Sequence, residues 1–234
     1  MLKTGLRDSG LRNYLRRVPP NSVLYLPGLD YGNWYTDTIK DYSGQANHGT
    51  IYGATPVRLP SGLWCLDFDG TDDRVRIAEA PSIEITGNIA VMCWVKIDAT
   101  VTGNPVMIGK FDTVTPVVMS YYLNYSSATG IANFYSGGTA AGNNASIAVS
   151  TGTWLHIVGI YDGATKIFVN GELKATATTP LAPKASPGSN LFIGIREDLT
   201  DDFLGLIGEV RIYNRALTPL EIQNNFIQTR WRYR

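Results

Sequence analysis

Three aspartates crowd one short loop, Asp69, Asp72 and Asp73, with Gly70 and Thr71 between them. A second acidic loop carries Glu197, Asp198, Asp201 and Asp202, and Glu209 follows on a late strand-like run that can lie beside the first loop. Hard cations such as calcium take carboxylate and carbonyl oxygens. Asp69, Asp72, Asp73 and Glu209 are therefore the candidate ligands of a structural calcium ion. The plainer reading of both loops is turn chemistry and surface charge, because Asp and Gly are ordinary turn residues.

A second set of side chains suits sugar contact. Tyr122 and Asn124 share one face of a strand by alternation, and Asn133 and Tyr135 share one face of the next. Aromatic rings and amides together can stack on a sugar and bond its hydroxyls. Alternation alone does not say which face is inside. Trp34 and Tyr35, in an early loop, are a further candidate pair.

Catalytic patterns are sparse. Glycoside hydrolysis needs two carboxylates a few ångströms apart, and side chains at period two share a strand face. No Glu-x-Asp-x-Glu-like run is present, and the carboxylates fall mainly in loops. There is no G-x-S-x-G elbow. Gly137-Gly138 lacks the lysine and helix of a phosphate loop. His48 sits in a turn and His156 in a strand, without metal-ligand spacing, and His156 reads as a satisfied structural histidine. The sequence thus predicts a protein that is not an enzyme, with a glycoside hydrolase as the minor alternative.

The elements that must hold these residues are strands. Charged residues make up 17% of the chain, against about 25% in an average domain. Val23–Leu26, Leu63–Phe68, 74–77, 89–97, 106–111, 117–125 and 131–135 are apolar or alternating runs separated by Gly, Asn, Thr and Pro. Asp162-Gly163 and Asn170-Gly171 punctuate a later series of strands, and Asn-Gly between such runs is a strong hairpin signal. Thr218-Pro219-Leu220-Glu221 is a capping box that opens one short helix. This pattern predicts an all-β antiparallel sandwich with one C-terminal helix. Cys65 and Cys93 sit in apolar runs and read as buried thiols, with a disulfide left open.

Three ordered segments resemble one family. They are Leu66-Asp-Phe-Asp-Gly-Thr-Asp-Asp-Arg-Val75, the stretch from Trp154 through Tyr161-Asp-Gly163 to Leu173, and Gly208-Glu-Val-Arg-Ile-Tyr-Asn-Arg-Ala-Leu217 with the following helix start. Asp41-x-Ser-Gly44 with Asn47-His-Gly49 adds an entry segment. In this order they resemble the concanavalin A-like, laminin G-like domains, in the branch near the pentraxins. The resemblance implies a jelly roll of two curved antiparallel sheets over about residues 22–228, and relatives that hold calcium at the Asp69 loop.

Charge is uneven although the net charge is zero. Residues 1–20 carry +4 and residues 228–234 carry +3, leaving −7 on residues 21–227. The organisation expected is a basic arm over 1–20, a jelly-roll domain over 21–228 and a basic tail over 229–234. Arg12, Arg16, Arg17, Arg230, Arg232 and Arg234 are the candidate assembly contacts, docking on acidic surfaces of other chains, copies of this one included. An acidic body disfavours nucleic acid, and no run of 18 apolar residues is present to enter a membrane. Residues 1–20 lack the apolar segment of a secretory signal. The expected function is a structural or attachment protein displayed on an assembly such as a virus particle, with glycan binding. The alternative is a free calcium-dependent lectin.

Overall fold

The computed structural model describes residues 21–28, 37–112, 118–138 and 143–234. Arg12, Arg16, Arg17, Trp34 and Tyr35 lie outside the described residues. In chain order the strands are β1 Ser22–Leu26, β2 Thr38–Ile39, β3 Gly49–Tyr52, β4 Thr55–Arg58, β5 Trp64–Asp69, β6 Arg74–Ile77, β7 Ile89–Ile97 and β8 Val106–Asp112. They continue with β9 Val118–Ser126, β10 Ile131–Tyr135, β11 Asn144–Ala148, β12 Trp154–Tyr161, β13 Thr165–Val169, β14 Glu172–Thr176, β15 Leu191–Ile193 and β16 Leu204–Tyr213. Among the described residues one α-helix, α1, spans Pro219–Thr229 and leads into a 3-10 turn over Arg230–Arg232.

The first sheet runs β14-β13-β12-β7-β16-β5-β4, with β1 also on β16; the second runs β11-β10-β9-β8-β15-β6-β3-β2. Among the described residues every strand pairing is antiparallel. The inner faces meet in one core. Ile89, Val91, Cys93, Val95 and Ile97 of β7 enter it from the first sheet, and Tyr121, Leu123, Ala132, Phe134 and Ile193 from the second. That is the period-two division of an alternating strand.

Strand β7 is apolar on both faces because its outer face is also covered. Ala90 and Met92 pack with Leu217 and Ile222 at the start of α1, and Trp94 packs with Tyr233. The capping box predicted from the sequence is formed: Thr218 accepts from the Glu221 amide and Glu221 reaches back to the Thr218 amide. In the β13–β14 hairpin Asn170 and Gly171 both hold positive φ, at 52° and 84°, the conformation that favours Asn-Gly.

One expectation changes and one, the buried thiols, is met. Residues 229–234 are not a free tail, since Thr229, Arg232 and Tyr233 are buried against the first sheet. Cys65 and Cys93 are free and buried. Cys93 points into the sandwich and Cys65 to the outer face, so they lie on opposite sides of one sheet. Among the described residues no helix is long and apolar enough to cross a membrane.

Candidate ligand-binding site

The loop between β5 and β6 gathers Asp69, Asp72 and Asp73, with ligand oxygens within 4.8 Å of one another. Asp73 is 7% exposed. One of its oxygens accepts from the Asp69 amide at 2.8 Å. The other lies where a Cβ on Gly53 would stand, and Gly53 holds φ at +75°. Glycine there lets the end of β3 close against the carboxylate. Asp69 turns the loop by accepting from the Thr71 amide at 2.9 Å. Asp72 is exposed.

Burial raises the Asp73 carboxyl above its ordinary range, the bond from the Asp69 amide opposes this, and the Asp69, Asp72 and Asp67 charges add to it. Asp202 is raised in the same way, by burial first and then by Asp201, Asp72 and Asp69. The second acidic loop therefore leans on the first. Arg196 tempers it through bonds of 2.7 Å to Asp198 and an ion pair of 3.1 Å to Asp201.

An open cleft of about 370 Å³ adjoins the trio, lined by Asp37, Ile51, Tyr52, Gly53, Asp72 and Arg74. Antiparallel register places Tyr52 opposite Arg74. The Arg74 guanidinium lies 4.3 Å from the Tyr52 ring centre and Arg76 lies 5.7 Å from it. Arg74 is steadied by donating to the Asp72 carbonyl at 2.8 Å. Asp37, Tyr52 and Arg74 were not among the sequence candidates. The β2–β3 and β3–β6 pairings, which have no local signature, bring Asp37 and Tyr52 to Asp72 and Arg74.

The donor set fits a hard cation. It is all oxygen, it is compact, and its mutual repulsion is relieved by positive charge. Glu209 is a correction to the candidate set. It is fully buried on the outer face of β16, 2.6 Å from Arg211 and ion-paired to Arg232. It lies in the bulge between Ile207 and Val210, whereas Leu204 is the residue opposite Asp69. Its charge is taken by arginines.

Tyr122, Asn124, Asn133 and Tyr135 do come together, on the outer face of the second sheet. Tyr122 stands opposite Tyr135 and Asn124 opposite Asn133. The two tyrosine rings are 5.7 Å apart, and Phe111 meets Tyr122 edge-on at 5.3 Å. Asn133 accepts from Asn144 at 2.9 Å and from Ser146 at 2.8 Å. Tyr122, Asn124 and Asn133 are only 5%, 6% and 9% exposed, so this group is a covered floor with Tyr135 at its half-buried margin.

Of the C-terminal arginines, Arg230 and Arg234 are exposed and Arg232 is buried, which removes Arg232 from the surface contacts. The Asp41 segment is a structural knot. Asp41 accepts from the amides of Tyr25, Ser43 and Asn47 at 2.8–3.0 Å, and its own amide donates to His48 Nδ1 at 3.1 Å. His156 is not a satisfied histidine: neither ring nitrogen has a hydrogen-bond partner among the described residues.

The family model of the concanavalin A-like lectin/glucanases superfamily matches residues 69–223. No curated protein matches the chain in sequence. Among solved structures, a mutant of Trypanosoma rangeli sialidase displaying trans-sialidase activity superposes with a TM-score of 0.70 at 17% identity, over 93% of this chain and 34% of that one. The same sialidase in complex with sialic acid gives 0.67 at 17%, over 91% and 34%. The binding domain of Paraclostridial Mosquitocidal Protein 1 gives 0.65 at 16%, over 88% and 52%. The chain thus spans about a third of the sialidases and half of the toxin domain. At these identities the likeness is one of fold.

Proposed function

The chain belongs to the concanavalin A-like lectin/glucanases superfamily, and we propose that within it this protein is a non-catalytic carbohydrate-binding module that uses a calcium ion. The observation that carries this reading is the convergence of Tyr52, Arg74, Asp37 and Asp72 on one open cleft whose Asp72 also belongs to the carboxylate trio. A few placed polar groups beside an aromatic ring are what a small-ligand site needs. Asp69, Asp72 and Asp73 would hold the ion, which supplies positive charge to hydroxyl oxygens at the cleft. Tyr52 offers a ring edge for a sugar, while Asp37 and Arg74 accept from and donate to its hydroxyls. The inward tuck of Asp73 favours binding over cleavage, because a general acid has to face the bond it protonates.

A glycan array with calcium and with chelator tests this. Binding of one sugar class that chelator abolishes supports the reading; a blank array in both conditions, or release of reducing sugar from a bound glycan, contradicts it.

Display on a larger assembly is the second part of the proposal. It is supported by an exposed stripe of Leu220, Ile227 and Trp231, which recur at helical spacing, with exposed Arg230 and Arg234 beside it. Such a face suits an acidic partner surface on a particle such as a virion. Co-sedimentation with particles from the native source, lost in an R230E/R234E variant, is the expected result; equal recovery of the variant contradicts it.

A further inference from the structure

The C-terminal residues 219–233 cross the outer face of the first sheet and close over His156. The His156 ring lies 5.1 Å from Trp94 on the neighbouring strand and 6.0 Å from Phe226 of α1. Trp94 itself is held between two rings of the segment, Phe226 at 5.8 Å and Tyr233 at 4.5 Å. Its indole N–H donates to Thr229 at 2.9 Å. A few polar ties complete the closure: the Arg232–Glu209 ion pair, a bond from Ser61 to the Arg232 carbonyl at 2.9 Å and one from the Glu209 amide to the Tyr233 hydroxyl at 2.7 Å.

We propose that residues 219–233 form an acid-released strap, lifted from the first sheet by protonation of His156 while the sandwich beneath stays folded. The imidazole is fully buried and both its nitrogens lack partners among the described residues. A proton added there has no acceptor to share it. Burial, and then the Arg211 charge, push the His156 pKa down to about 3 from 6.5. The docked strap therefore excludes the proton. Its docking is strongest above pH 6.5 and weakens as pH falls from 6.5 toward 3.

The other ionisable groups on this face are Glu209, Arg211, Arg232 and three tyrosines. Glu209 is held between Arg211 and Arg232. The Tyr25, Tyr213 and Tyr233 hydroxyls are all raised by burial and stay neutral across this range. Phe226, Trp94 and the Asn170 side chain, which accepts from the His156 amide, carry no charge. The segment over the ring is a helix and a 3-10 turn without strand pairing of its own, whereas β12 beneath it is paired on both sides. Segments of this kind open before the core does.

Hydrogen exchange of the full chain between pH 7 and pH 5, corrected for the intrinsic rate, tests the strap. The opening constant of amides in residues 219–233 is expected to rise about 25-fold across that interval, with β7 and β12 remaining protected. The H156F variant is expected to show no such rise, and H156Q serves if H156F does not fold. A strap whose exchange ignores pH, a loss of protection shared by β7 and β12, or an undiminished rise in the neutral variant would each overturn the proposal.

Discussion

Tyr233 stacks on Trp94 with ring centres 4.5 Å apart and 20° between the planes, and its hydroxyl accepts from the Glu209 amide at the β16 bulge. Residues near the C-terminus thereby finish the core of a face that the strands alone would leave open.

Tyr233→Ala removes a buried ring and is expected to cost about 3–5 kcal/mol, the range for large aromatic truncations. Tyr233→Phe keeps the stacking and orphans only the Glu209 N–H, for about 1–3 kcal/mol. Urea unfolding of the two variants checks the order.

Glu209 serves two buried guanidinium groups, Arg211 and Arg232. Glu209→Gln strands both, at about 3–5 kcal/mol, the cost of breaking a buried pair from one side. Arg232→Met leaves Glu209 with Arg211 and is expected to cost less. Equal midpoints for the two variants would show that the charges are not coupled as described.

Calcium binding to the native state alone raises its stability. The melting temperature is expected to rise with calcium, and the rise to vanish in Asp72→Asn. It should vanish too in Gly53→Ala, whose methyl group would displace the Asp73 carboxylate. Thermal scans with calcium and with chelator read this directly.

Glu221 is held at about 2, first by its bonds to Arg215 and then by the Thr218 amide and hydroxyl. A depressed carboxyl contributes stability above its ordinary value, and that contribution is lost as pH falls from about 4.5 toward 2. The pair is partly exposed, so the loss is held to under about 1 kcal/mol by solvent screening. Glu221→Gln should flatten acid unfolding in this window by that amount, and unchanged acid curves would assign the helix start to Thr218 alone.

Most strands were readable because alternation and turn residues are local. Ile89–Ile97, Arg74–Ile77, Ile131–Tyr135 and the Thr218 cap fall where the residues predict them. Strands β2, β4 and β11 were not seen, being two to five residues long; Pro56 in β4 also masks its pattern, although proline is tolerated on the edge that β4 forms. The Asp69 loop was visible as a loop. Its partners in the cleft were not, because Tyr52 and Arg74 meet only through register. Glu209 reads as a calcium ligand and Arg232 as an assembly contact, because sequence carries no mark of a pairing that spans 23 residues.

The most direct test of the binding site is calorimetric titration of the best glycan, in calcium, against wild type, Tyr52→Ala and Tyr135→Ala. The cleft account predicts that Tyr52→Ala weakens binding about tenfold or more, the loss of one good aromatic contact, while Tyr135→Ala stays near wild type. Loss of binding in Tyr135→Ala with Tyr52→Ala unaffected would move the site to the covered sheet face and contradict the account.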